Sequence, residues 1–372
     1  MVESTGQWRA RSQSTVRSEW ASFISTASAT KRIDKRLIVK AQSKPQVFSN
    51  ALKLKFRRGL LTWYDAHARD LPWRASHDPY RVWLSEIMLQ QTRVAAVIDH
   101  YHEFLRRFPT VEKLAGAREA SVLAAWSGLG YYRRARMLHT AAKIIVHEHG
   151  GKFPATEPEL RTLPGIGRYT AAAIASIAFG EPVAVVDGNV ERVLQRISGK
   201  RLSGEGLWTA AENLLDAKRP GDFNQAMMEL GATVCTPRSP ACLMCPVTAL
   251  CVTRGELAAL VKPTPQKKRE IHFTLSYRNG NGRDREVFLI QRSPTASLMA
   301  GMWELPEMVG TNGSSQPAFT LRHSITVTDY AVKVWKTEVA PANAGKWIPA
   351  SKLSSVALTG LARKILRKAQ IL

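Results

Sequence analysis

Between about residue 50 and residue 258, apolar positions recur every three or four residues. The stretches "FRRGLLTWYDAHA", "PYRVWLSEIMLQQTRVAAVIDHYHEFLRRF", "EASVLAAWSGLG", "RRARMLHTAAKIIVHEHG" and "YTAAAIASIAFG" keep that period, with glycine or proline between them, and predict helices. Past residue 270 the period changes to two. In "IHFTLSY", Ile271, Phe273, Leu275 and Tyr277 fall on one side, "NGNG" at 279–282 is a hairpin signal, and "REVFLIQR" follows as the partner strand. "ITVTDYAVKVWKTEV" reads as a further strand and "TGLARKILRKAQIL" as a closing amphipathic helix. The pattern predicts an all-α domain over 48–258 and an α+β domain over 271–372. A linker falls at 259–270, where "VKPTPQKKRE" sets two prolines among four basic residues.

Residues 1–47, rich in Ser, Thr, Ala, Arg and Lys, hold no sustained period and are expected to be a disordered basic extension. Their composition approaches that of a mitochondrial presequence, but Glu3, Glu19 and Asp34 interrupt it. No run of 18 apolar residues marks a membrane span, and the expectation is a cytoplasmic, nucleoid-associated monomer with no membrane partner. Charge sharpens this: 53 Lys plus Arg against 30 Asp plus Glu leave a net +23. Such an excess points to a polyanion, most simply nucleic acid, through phosphate neutralisation, although a basic surface also serves solubility.

All four cysteines lie in one stretch, Cys235, Cys242, Cys245 and Cys251, spaced C-x6-C-x2-C-x5-C. A disulfide framework would spread them through the chain; clustered thiols point to one metal centre. Zinc sites more often use two close pairs and only one is present, so the spacing favours a [4Fe–4S] cluster over zinc. Arg238, in the first ligand loop, is either a phosphate contact or a solvated side chain.

The stretch "LPGIGRYTAAAIASIAFG" (163–180) turns through Pro164–Gly167 into a helix that starts at Arg168 or Tyr169. Before it, Thr156 and Glu159 have capping-box spacing at the head of a short helix. Gly165 and Gly167 permit positive φ and leave amide N–H groups at a helix N-terminus, where they bind a phosphate without reading sequence. The same turn serves equally as a plain connection between helices.

Two carboxyls stand out. Glu86 lies among Val82, Trp83, Ile87 and Leu89; buried there, its pKa would rise and keep it protonated, whereas on an exposed face it would be an ordinary helix glutamate. Asp187 closes the apolar, strand-like "PVAVVD" and precedes "NVERVLQRI", an N-cap position where amide donors favour the carboxylate.

Helix–"LPGIG"–helix, "VVDGNVERVLQR" and the cysteine spacing together resemble the helix–hairpin–helix base-excision DNA glycosylases that carry an iron–sulfur cluster. "LPWR", "VWLSEIMLQQTRV", "WSGLGYYRRAR" and "NQAMMELGATVC" narrow the resemblance to adenine DNA glycosylases of the MutY type, over about residues 50–258. "LIQRSPTASLMAGMWELPEM" (289–308) resembles that family's C-terminal Nudix-like domain; the REx2EE core of Nudix hydrolases is missing, so pyrophosphate hydrolysis is not implied.

The resemblance implies removal, from double-stranded DNA, of adenine opposite 8-oxoguanine or guanine, without strand cleavage. It makes Glu86 the general acid and Asp187 the group that stabilises the sugar cation or forms a transient adduct with it, so that configuration is retained; Asn189 orients Asp187 or the attacking water. Trp73, Arg74, Leu89, Gln225 and Tyr169 would line the base pocket, Gln91 and Tyr131 would wedge into the duplex, and Gly165, Gly167 and Arg168 would meet a phosphate. The family's Phe-Ser-His signature for the oxidised base falls at Ile325-Thr326-Val327, where only the Thr326 hydroxyl is kept; Glu191 stands where some members carry a basic residue. Two rival readings remain. An endonuclease III-like glycosylase and lyase requires a lysine after the hairpin, where Tyr169 stands, and the permanently charged Arg168 does not replace it. A non-catalytic iron–sulfur DNA-binding module has no use for the Glu86 and Asp187 pair.

Overall fold

The computed structural model describes residues 48–257, 267–280, 284–308, 316–325, 328–339 and 344–372. The expected N-terminal extension, the tip of the 279–282 turn, Thr326 and Val327 lie outside the described residues.

The helical body begins with α1 (Asn50–His67), capped by the Ser49 side chain, which buries Phe56, Leu60, Leu61 and Tyr64. It continues through α2 (Pro79–Leu89), α3 (Val94–Arg107), α4 (Val111–Ala115), α5 (Glu119–Trp126), α6 (Arg133–His149), α7 (Glu157–Leu160), α8 (Arg168–Ala178), α9 (Gly188–Ser198), α10 (Glu205–Leu214) and α11 (Pro220–Thr233). Phe56, Trp83, Tyr101, Phe104 and Trp126 sit almost wholly inside its core. A buried phenylalanine alone contributes roughly 1.5–3 kcal/mol of transfer free energy. Among the described residues, no helix is long and apolar enough to cross a membrane.

Three local expectations are corrected. The segment read as one helical run from Pro79 to Phe108 breaks between Leu89 and Val94, with no glycine or proline there. The Arg134 guanidinium takes the carbonyls of Ile87 and Met88, and Gln91 turns to φ 55°. Among the described residues the apolar "PVAVVD" pairs with no strand: Asn224 accepts from the Val185 amide and donates to the Val183 carbonyl, doing the work of a neighbouring strand. Thr156 does precede α7, but its hydroxyl donates to the Glu159 carboxylate at 2.8 Å and no side-chain cap to the backbone forms.

The C-terminal half is a mixed sheet of β1 (Lys267–Asn279), β2 (Arg285–Gln291), β3 (Trp303–Glu304), β4 (Phe319–Ile325), β5 (Thr328–Thr337) and β6 (Lys346–Pro349). The strand order is β3-β2-β1-β5-β4, with β6 beside β2; β1 and β5 run parallel, and the other pairs antiparallel. Phe273 and Leu275 are buried on β1 as the alternation requires. The strand already starts at Lys267, inside the stretch read as linker, and β4 is a strand the alternation did not mark. Helix α12 (Gly360–Lys368), capped by Thr359, closes the sheet with Leu361, Ala362, Ile365 and Leu366.

The two halves are packed together. Met302 and Ala357 belong to the apolar core of the helical body. Ser127 Oγ and Tyr132 Oη both donate to the Leu358 carbonyl, at 2.7 and 3.2 Å, and Arg363 Nε donates to Ser127 Oγ.

Candidate functional site

A cavity of about 1700 Å³ opens between the halves. The end of α2 brings Glu86, Leu89 and Gln91 to it, the hairpin Gly165 and Tyr169, the start of α9 Asp187 and Asn189, and α11 Gln225 and Glu229. Trp73, Arg74 and Tyr131 complete this wall, and His323, Ser324, Arg363, Lys364 and Arg367 face it from the C-terminal half. Eleven positions singled out in the sequence thus share one cavity: Trp73, Arg74, Glu86, Leu89, Gln91, Tyr131, Gly165, Tyr169, Asp187, Asn189 and Gln225.

Glu86 is 6% exposed. Burial pushes its carboxyl up to about 7; the hydrogen bond from Tyr169 opposes this, the charge of Asp187 adds to it, and Arg74 opposes it. The Tyr169 hydroxyl lies 2.7 Å from Glu86 Oε2 and 3.2 Å from Met228 Sδ. Burial, then the charges of Glu86 and Asp187, hold its pKa well above the usual tyrosine value. With one proton and two acceptors, the hydroxyl donates to Glu86 when that carboxyl is ionised; when Glu86 is protonated, it is free to donate to the sulfur.

Asp187 is the N-cap of α9, and its two oxygens are separately held. Oδ1 accepts from the Val190 amide at 2.7 Å, and Oδ2 from Asn189 Nδ2 at 2.9 Å. Asn189 is fixed in turn, because its Oδ1 accepts from Arg192 Nη2 at 2.8 Å. Arg192 also donates through Nε to the Cys235 carbonyl at 2.7 Å, which joins the Asp187 carboxylate to the cysteine loop. Gly231 permits this packing: a Cβ there would lie 2.6 Å from that of Asn189.

Glu229, one helical turn beyond Gln225, escaped the sequence reading. Its side chain is 1% exposed and accepts from Arg69 Nε (2.6 Å), Arg69 Nη2 (2.8 Å) and Arg74 Nη2 (2.8 Å). Burial alone would raise its pKa; Arg69 and Arg74 outweigh that and hold it below the usual range. The available signal was an acid on the buried face of "NQAMMELG".

At the hairpin, Gly165 adopts φ 79°, and a Cβ there would lie 2.6 Å from Met137 Cβ. Gly167 is the N-cap of α8 and open to its surroundings. Arg168 does not present a free guanidinium: it stacks 3.9 Å over Trp208 and pairs with Glu205 at 2.6 Å. Gln91 and Tyr131 are exposed at the cavity edge with φ of 55° and 47°, left-handed conformations that cost a side-chain-bearing residue roughly 1–3 kcal/mol each. Thr326 lies outside the described residues, and Arg238 is exposed.

The cysteine loop follows α11. The other three thiols all act electrostatically on Cys245, so the four share one neighbourhood. Among the described residues, no three His, Cys, Asp or Glu side chains converge tightly enough to hold a single ion. Arg196 Nη1 donates to Cys235 Sγ at 3.3 Å and the Arg254 amide to Cys251 Sγ at 3.4 Å, donors suited to anionic sulfur. The donor set fits an iron–sulfur cluster held by Cys235, Cys242, Cys245 and Cys251.

Helical body, hairpin and cysteine loop define a base-excision repair fold. Residues 84–203 match the HhH-GPD superfamily base excision DNA repair proteins, and residues 235–251 match the iron–sulfur binding domain of endonuclease III. Among solved structures, a thermostable thymine-DNA glycosylase superposes with a TM-score of 0.53 at 31% identity, over 55% of this chain and 97% of that one. Among curated proteins, the chain is 42% identical to the adenine DNA glycosylase of Mus musculus over 310 residues, 68% of this chain and 60% of the mouse protein. It is 34% identical to that of Schizosaccharomyces pombe over 317 residues, 68% of this chain and 69% of the yeast protein. The chain belongs to the adenine DNA glycosylase family. It spans about three fifths of the length of its mammalian relatives.

Proposed function

We propose that the chain excises adenine mispaired with 8-oxoguanine or guanine in duplex DNA, as a monofunctional glycosylase acting as a monomer. The observation that carries this reading is the buried, proton-holding Glu86, hydrogen-bonded to Tyr169 and sharing one cavity with Asp187. The bond between the sugar C1′ and the base breaks with its electron pair leaving on the base, and Glu86 supplies the proton that makes adenine a good leaving group. The sugar is left as a cation, and Asp187, held in place by Asn189 and the α9 amide, faces it. Water then adds to C1′, its proton returns to Glu86, and the products are adenine and an abasic site. Adenine must leave the stack before this can happen. Gln91 and Tyr131 at the cavity edge are suited to fill the gap, and Arg74, Glu229 and Gln225 to meet the base.

A lyase step would need an amine at the sugar. Among the described residues, Lys364 is the lysine on the cavity wall, and it donates to the Arg322 carbonyl at 2.5 Å. Cys235, Cys242, Cys245 and Cys251 would hold the [4Fe–4S] cluster, which would anchor the 235–251 loop; Arg192, bonded to the Cys235 carbonyl, braces Asn189. The mixed sheet with its packed α12 supports a Nudix-like reading of the C-terminal domain, and His323 and Ser324 on the cavity wall support a role for it in meeting the opposite strand.

Purified protein is incubated with duplexes containing 8-oxoguanine·A, G·A or an oxidised pyrimidine. Release of adenine, with strand breaks only after alkali, is expected. Prompt breakage at the pyrimidine lesion, or no release from any duplex, overturns the proposal.

A further inference from the structure

Two residues that would face the duplex, Gln91 and Tyr131, lie forty positions apart in the chain, yet each holds a left-handed backbone and each follows a segment whose carbonyls are bound by the same side chain. That side chain is Arg134, on the first turn of α6. Its Nη1 donates to the carbonyls of Ile87 (2.6 Å) and Met88 (3.1 Å) at the end of α2. Its Nη2 donates to Thr92 Oγ1 (3.2 Å) and to the carbonyls of Leu129 and Gly130 (both 3.3 Å). The guanidinium also lies 5.4 Å from the Trp126 ring centre and 5.5 Å from that of Tyr131.

We infer that Arg134 is a positioning residue that locks Gln91 and Tyr131 into a single rigid wedge, so that both enter the duplex together when a base is extruded; the inference rests on the excision reaction proposed above. The acceptors explain why arginine is required. One arm of a planar fork holds the end of α2 and the other the loop before α6, a span that the point charge of lysine does not reproduce. Main-chain carbonyls and the Thr92 hydroxyl, not a carboxylate, receive its hydrogen bonds. Burial draws its pKa down to about 10, so it remains charged at neutral pH. A half-buried cation whose bonds go to two edge segments and their aromatic rings is spent on the geometry of those segments. The left-handed turns at 91 and 131 are the backbone positions that relax first if the fork is lost.

The test uses the full-length holoprotein carrying Arg134→Lys, with cluster absorbance and thermal melting to confirm folding. In a Glu86→Gln background, which cleaves nothing, binding to a duplex with 2-aminopurine opposite 8-oxoguanine reports extrusion as a fluorescence rise. The parent brightens and Arg134→Lys loses most of that rise. With Glu86 intact, single-turnover excision from the paired duplex falls about 100-fold, the scale of a misplaced positioning group. The loss shrinks to a few-fold for an adenine facing a one-nucleotide gap, where no partner base holds it. Thr92→Val, which removes one acceptor, weakens the fluorescence rise in the same direction and replaces Arg134→Lys if that variant does not fold. Equal losses on paired and gapped substrates, or an unchanged rise, overturn the inference. If the parent releases no adenine from any substrate, the proposed function fails, and the fluorescence arm alone decides the role of Arg134.

Discussion

The hydroxyl of Tyr169 stands 2.7 Å from Glu86 Oε2 across 83 residues of chain. It places a proton store at the centre of the cavity, and the ionisation of Glu86 governs what the site can do.

Glu86 ionises near 4.5 in an unfolded chain and near about 7 in the fold. In the proposed reaction its neutral form is the active acid, so the single-turnover rate falls as pH rises through about 7. Stability follows the same sign: the contribution of the protonated group is whole below about 4.5 and is lost as pH rises through about 7. Glu86→Gln therefore abolishes excision while gaining, above pH 8, on the order of 3 kcal/mol of stability over the parent. Melting curves of both proteins at pH 5 and pH 8.5 check this, and a gap that does not widen at high pH contradicts it.

At Asp187 capping and chemistry separate. Asparagine keeps an oxygen for the Val190 amide but sets an NH2 against Asn189 Nδ2, so Asp187→Asn and Asp187→Ala each cost about 1 kcal/mol. Excision falls about 1000-fold in both, because each has lost the charge facing the sugar cation. Activity retained in Asp187→Asn would assign this residue to the helix alone.

If position 169 faces the sugar, an amine placed there would reach C1′. Tyr169→Lys incubated with 8-oxoguanine·A duplex and borohydride should yield a covalent protein–DNA adduct that the parent does not form. An untrapped variant that still binds the duplex would mean that position 169 faces the base edge and not C1′.

Arg196 is 3% exposed and donates to Cys235 Sγ and to the carbonyls of Thr236 and Pro237. Arg196→Met strips these donors from the ligand loop. The visible absorbance of the cluster should then bleach several-fold faster in air, followed by loss of duplex binding, and equal bleaching rates would refute the role.

Much of this site was legible because its signals are local. The cysteine spacing, the aspartate that ends an apolar run before a helix, and the glycines of the hairpin each declare themselves within a few residues. What stayed hidden depends on distant partners. Nothing around Gln90–Arg93 breaks a helix; the side chain responsible, Arg134, arrives from α6. "PVAVVD" alternates like a strand but has its backbone satisfied by Asn224 on α11. Arg168 looked free because its acidic partners, Glu205 and Glu212, belong to α10. Glu229 looked like any helix acid until Arg69 and Arg74 came to it. Strand β4 carries Arg322 and His323 in the middle of its alternation, and its pairing with β5 supplies the order its own residues do not announce.

The joint between the two halves ends on a main-chain oxygen, that of Leu358, which Ser127 and Tyr132 both seek. A carbonyl is present whatever amino acid occupies the position, so the side chain at 358 answers only to the packing of its own core. Scanning that position with alanine would register lost packing and miss the joint. The helical body carries the specific hydroxyls and meets in the C-terminal half one backbone oxygen and the Arg363 guanidinium, which leaves most side chains of that half free to be rewritten over time without undocking it.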